Sequence, residues 1–146
     1  MPSDCRIHSL AIFAAARERG LRVVAHAGET VGAASVRSAL DALGAERIGH
    51  GVRAVEDPAL VDHLRDRQIP LEVSPHANYC LGVVPHHEPH PIAQLVAAGV
   101  LCTVNTDCPP FYNTDLTNEY LTLAAQGFTM EQLWQLNLNA LEASFL

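Results

Sequence analysis

The sequence contains no lysine, and no arginine follows Arg67. Its nine basic residues are all arginines, and nine carboxylates balance them within residues 1–67. Residues 68–146 carry seven carboxylates with nothing to offset them, which accounts for the whole net charge of −7. Neither a nucleic-acid backbone nor an anionic membrane surface is therefore expected as a partner. No apolar run approaches the roughly 18 residues that a membrane helix requires. Asp4, Arg6, Arg17, Glu18 and Arg19 interrupt the first twenty residues, so no signal peptide is expected. Cys5, Cys80, Cys102 and Cys108 show no CxxC spacing and point to reduced thiols in a cytoplasmic protein. Repeats, low-complexity tracts and long linkers are also missing.

What is present is an alternation. With 49% hydrophobic residues over 146 positions, the chain can build one domain with a substantial core. Helical periodicity is expected over residues 7–19, ended by Gly20, and over 33–43, ended by Gly44. Asp57 and Pro58 read as N-cap and first turn of a helix over 57–67. His90-Pro91 opens a helix that ends before Gly99, and two more helices span about 114–126 and 129–144. In the last of these, Thr129 and Gln132 have capping-box spacing. Short apolar strands fall between them at 21–26, 47–51, 70–75 and 100–107, and residues 76–89 read as a long, proline-rich loop. Strands alternating with helices imply βα units and a parallel sheet. Four such units form either a small open sheet or half of an eight-stranded barrel.

In both arrangements the ends of the strands share one face, and in a barrel that face carries the chemistry. His26, His50, Pro75 and Asp107 all fall where a strand passes into its loop. Gly28 allows a tight turn that aims Glu29 at the same face. Imidazoles and carboxylates at strand ends suit a hydrolytic zinc site, with one acid left to protonate a substrate. His86, His87 and His90 cluster in sequence but fit loop and helix-start positions better than a second metal site. Cys102, Phe128 and Trp134 are expected in packed positions, and His63 and His76 on the surface or in loops.

Six segments occur in order: "HAGE" (26–29), "ERIGHGVRAVED" (46–57), "SPHANYCLG" (74–82), "HPIAQLVAAGV" (90–100), "VNTDCPP" (104–110) and "NLNALEASF" (137–145). Together they resemble the adenosine deaminase family of metal-dependent amidohydrolases, over nearly the whole chain. The resemblance implies an α/β fold, the C-terminal half (strands 5–8) of a (β/α)8 TIM barrel. Residues 1–146 would then form one partial hydrolase domain.

The resemblance also implies hydrolytic deamination of an aminopurine, with adenosine as the expected substrate and adenine or aminodeoxyfutalosine as alternatives. His26 and Asp107 would ligate one Zn2+. Glu29 would protonate the purine ring, and His50 would orient and help deprotonate the attacking water. Gly28, Glu29 and Cys108 would contact the substrate. Two departures stand out. The family's His-x-His pair, expected on the first barrel strand, does not occur, and Cys108 replaces the second of two adjacent aspartates. Leu81 also stands where many relatives have threonine. The site is thus expected to need the other half-barrel, and residues 1–146 alone to be inactive. A degenerate purine-binding protein and an unrelated α/β binding module are the competing readings.

Overall fold

The computed structural model describes the backbone of residues 3–146 and the side chains from Leu10 onward. Cys5 lies outside the described side chains. Four strands form one sheet in the order β1-β2-β3-β4: β1 (Val24–Ala27), β2 (Arg47–His50), β3 (Leu71–Val73) and β4 (Cys102–Val104). Every pairing is parallel, with His26 opposite Gly49 and Ala27 opposite His50. Sequential order with parallel strands requires a helical crossover between each pair. The crossovers are α2 (Ala33–Ser38), continued by a π-helical turn (Ala39–Leu43), then α3 (Pro58–Asp66) and α5 (Ile92–Ala97). Before the sheet comes α1 (Ser3–Glu18); after it come α7 (Leu116–Ala125) and α8 (Met130–Glu142).

The anticipated caps are present. The Asp57 side chain accepts from the amides of Ala59 and Leu60, and Thr129 and Gln132 close a capping box. Ile48, Leu60, Leu64, Leu71, Ile92, Leu95, Leu123 and Leu136 are fully or almost fully buried, mostly between the sheet and its helices. Asn139 of α8 donates to the Cys102 carbonyl at 2.9 Å and ties the last helix to β4. At the opposite end of the sheet from the strand C-termini, the Phe145 ring lies against the guanidinium groups of Arg22 (4.4 Å) and Arg47 (4.1 Å).

Several expectations need correction. Residues 76–89 are not all loop, because Pro75 starts a helical turn, α4 (Pro75–Cys80). Proline fits the first position of a helix, where its missing N–H is not needed. A second short helix, α6 (Pro109–Tyr112), precedes α7. The first strand is buried on one face only: Ala27 is buried, whereas Val24 and His26 are exposed. Trp134 is 63% exposed, since α8 turns Leu133 and Leu136 inward and leaves Met130, Trp134 and Leu141 on its outer side. Cys102 and Phe128 are buried as expected.

Candidate active site

Two sharp backbone events deliver side chains to the C-terminal ends of the strands. His50 (φ 64°) and Asp107 (φ 56°) both adopt the left-handed region, which non-glycine residues enter at a cost of about 1 kcal/mol or more. Each ends or follows a strand, so the turn swings its side chain over the sheet. Gly28 is also left-handed, and a Cβ there would meet Val36 Cγ2 at 2.5 Å. The chain can therefore fold tightly behind β1 only with glycine, and this brings Glu29 back toward His50. Gly49 is needed for another reason: a Cβ on it would lie 2.2 Å from His26 Cδ2. The His26 ring occupies the space that a side chain on β2 would fill.

Glu29, His50 and Asp107 converge. One donor atom from each lies within 4.8 Å of the others. His50 Nε2 is 3.6 Å from Glu29 Oε1, too far for a hydrogen bond. That Oε1 is buried and has no hydrogen-bond partner. An unpartnered buried carboxylate oxygen is costly, and this one is suited to a partner such as a cation, a water or a substrate. Two carboxylates and an imidazole around one gap, with His26 in the cavity beside them, give enough donors both to hold a divalent cation and to act on a water next to it. His26 stands outside this trio, but its ring centroid is 5.2 Å from that of His50. His26, Gly49, His50, Glu72, Ser74, Asn105 and Asp107 line one shallow cavity of about 120 Å³.

The electrostatics follow from burial and from the acidic lining. Burial lowers the His50 pKa from its ordinary value, opposed by the charges of Glu29, Asp107 and Glu72 and reinforced by His26. Cys108 is exposed, and the negative charge of Asp107 beside it raises its thiol pKa, so a thiolate is disfavoured there.

Sequence reasoning missed four contributors. Glu72, on β3, forms an ion pair with Arg47 at 2.7 Å and lines the cavity. Asn78 is fully buried, and its amide nitrogen lies 3.3 Å from His50 Nδ1. His90 is 1% exposed and bonds Asn78 from the other side. Glu119, fully buried on α7, accepts from the His76 amide (2.8 Å) and the Thr114 hydroxyl (3.0 Å), tying the loops after β3 and β4 together. Burial pushes its pKa up. Glu72 in "LEV", on a strand leading toward the site, Asn78 in "SPHANYCLG" and His90 in "HPIAQLVAAGV" carried a sequence signal, and Glu119 carried none.

The family model described as adenosine deaminase matches residues 2–146. Among curated relatives, the adenine deaminase of Rhizobium meliloti (strain 1021) is 44% identical over 146 residues, covering 97% of this chain and 45% of that protein. The aminodeoxyfutalosine deaminase of Streptomyces avermitilis is 47% identical over 129 residues, covering 87% and 36%. The crystal structure of an adenine deaminase from Arthrobacter aurescens superposes with a TM-score of 0.91 at 34% identity, covering 94% of this chain and 42% of that one. A zinc-bound amidohydrolase from Burkholderia ambifaria superposes with a TM-score of 0.86 at 29% identity, covering 94% and 39%. The chain thus spans less than half the length of these relatives, and its sheet is a half-barrel.

Proposed function

Because the chain belongs to the adenosine deaminase family, we propose that it forms the C-terminal half of a metal-dependent deaminase acting on the 6-amino group of a purine. The observation that carries this reading is the convergence of Glu29, His50 and Asp107 on one gap, with Glu29 Oε1 left unpartnered. The overall reaction adds water to the purine carbon and expels ammonia, converting adenine, for example, to hypoxanthine.

His26 and Asp107 would hold the cation from this chain. When bound, a zinc ion supplies Lewis-acid activation of the attacking water. Glu29 sits on its glycine turn at the edge of the same gap. As a carboxylic acid it can pass its proton to the ring nitrogen beside the attacked carbon. His50 faces the gap through Nε2 and orients the water. Gly28 and Cys108 would contact the purine from the loops after β1 and β4. Cys108, a poor hydrogen-bonding group, would weaken any polar contact to the imidazole ring of the base.

Adenine is the substrate we favour. The expectation of adenosine finds no support among the relatives named above, three of which carry adenine or aminodeoxyfutalosine in their names. The aminodeoxyfutalosine reading is the alternative, supported by the 47% identity to the Streptomyces avermitilis enzyme. The remaining half of the barrel is required in this account. The outer edges of β1 and β4 have no partner strand among the described residues, and Val24 and His26 lie open on the sheet face. Residues 1–146 alone should show no turnover.

The test is a substrate panel on the full-length protein carrying this chain. Adenine should be turned over with a kcat/KM well above those for adenosine and aminodeoxyfutalosine. Metal analysis should find one zinc per site, lost in Asp107→Ala. Turnover confined to aminodeoxyfutalosine would select the alternative. Turnover of none of the three by a zinc-loaded, folded protein would refute both.

A further inference from the structure

We infer that His90 and Asn78 form a buried relay that fixes His50 as the neutral imidazole protonated at Nε2 and bare at Nδ1. His50 would therefore act on the gap as a hydrogen-bond donor and not as a proton acceptor. One donor in the chain of contacts has an identity beyond choice, a main-chain N–H. The Ile92 amide donates to His90 Nδ1 at 3.1 Å, so that nitrogen carries no proton. His90 is then protonated at Nε2, which donates to Asn78 Oδ1 at 3.1 Å. With its oxygen so placed, Asn78 presents its NH2 group to His50 Nδ1 at 3.3 Å. An amide nitrogen only donates, so His50 Nδ1 must accept. The His50 proton therefore sits on Nε2, the nitrogen that faces Glu29.

Burial makes the assignment rigid. His50, Asn78 and His90 are 4%, 0% and 1% exposed, so water cannot replace any link. Turning the Asn78 amide over would set its NH2 against the Nε2–H of His90 and its oxygen toward His50. Both ends would have to change state at once, and the Ile92 amide forbids the change at His90. Burial also holds the His90 pKa at about 4, which keeps this ring neutral at ordinary pH. Asn78 and His90 are thus positioning residues: neither lines the cavity, and both act through His50.

The consequence for chemistry rests on the deaminase reading; the tautomer does not. The Nε2–H of His50 and the unpartnered Oε1 of Glu29 face each other across 3.6 Å. A water near that gap would receive a hydrogen bond from His50. The proton it gives up on attacking carbon could not pass to His50 Nε2, which already carries one. This reverses the sequence-based expectation that His50 helps to deprotonate the water.

The test is 15N–1H correlation spectroscopy of the histidine rings in the full chain, without substrate. The account expects His50 Nδ1 in the unprotonated range and Nε2 in the protonated range, with the same pattern at His90. In Asn78→Asp the new carboxylate would accept where the amide donated, and His50 should gain a proton at Nδ1. A merely structural role for Asn78 would leave the pattern unchanged. The inference is overturned if wild-type His50 is protonated at Nδ1 with Nε2 bare, if both nitrogens are protonated at neutral pH, or if a folded Asn78→Asp keeps the wild-type pattern. The wild-type spectrum decides alone should the variant not fold. The expected tautomer in a protein that deaminates no purine would sink the deaminase reading and leave the relay standing.

Discussion

Replacing Gly49 with alanine probes how the sheet makes room for His26. Gly49 has an ordinary strand backbone, so alanine meets no conformational penalty there. The added Cβ would instead lie 2.2 Å from His26 Cδ2 and 2.9 Å from Nε2. Carbon atoms pack at about 3.5–4.0 Å, so the ring must retreat by more than about 1 Å. His26 is exposed and has no side-chain hydrogen bond among the described residues, so it can swing aside instead of forcing the backbone apart. The cost is then that of an off-rotamer side chain and lost contact, about 1 kcal/mol. Gly49→Ala should lower stability by that amount in chemical denaturation, with an unchanged m-value, and should shift the His26 ring resonances. In a His26→Ala background the same change should cost nothing, or should stabilise by a few tenths of a kcal/mol as a strand glycine is removed. The coupling energy of this double-mutant cycle should therefore be about 1 kcal/mol. Equal effects in both backgrounds, or an unmoved His26 ring, would refute the reasoning.

Other outcomes follow from the same structure. His90 is held neutral with a folded pKa of about 4 against an ordinary 6.5, so the unfolded chain takes up the proton first. Its contribution is complete above pH 6.5 and is lost as pH falls from 6.5 to about 4, an interval worth roughly 3 kcal/mol. His90→Gln should flatten the pH dependence of unfolding free energy across that window. Asp57 has a lowered pKa, chiefly through its hydrogen bond to Arg37, so its stabilisation is present above the ordinary carboxylate pKa and disappears as pH falls through the lowered value. Asp57→Asn should blunt the acid limb of the stability profile, and Asp57→Ala should also lower the melting temperature through loss of the α3 cap. Cys80 and Cys108 are exposed, whereas Cys102 is buried with its thiol pushed up to about 12. Mass-mapped alkylation of the native protein should modify the first two and reach Cys102 only after unfolding.

Much of the scaffold was legible because its signals are local. Asp57-Pro58, Thr129 with Gln132, and the glycines that close helices each act within one turn of chain, and all were found where the sequence put them. That His26 and His50 lie at strand ends was legible for the same reason, as were the buried Cys102 and Phe128; β4 stops at Val104, so Asp107 sits in the turn after it and not at the end of a strand over 100–107. Contacts between distant segments were not. Asn78 and His50 are 28 residues apart, and Asn78 lies on a helical turn that two flanking prolines disguised as loop. Glu119 reads as one more polar residue on an amphipathic helix, yet it is fully buried because the loops after β3 and β4 bring donors to it. Trp134 misled through its size: hydrophobicity says that it should be covered, not by what.

The central claim is that Glu29, on its glycine turn, supplies the proton in purine deamination. It is tested most directly by steady-state adenine deamination in the zinc-loaded, full-length protein carrying this chain, with wild type set against Glu29→Gln. The account predicts hypoxanthine and ammonia in equal amounts from the wild type. Glu29→Gln should reduce kcat by about 10²–10⁴-fold, with the fold and zinc content retained. A glutamine variant that keeps its rate to within a few-fold would contradict the account.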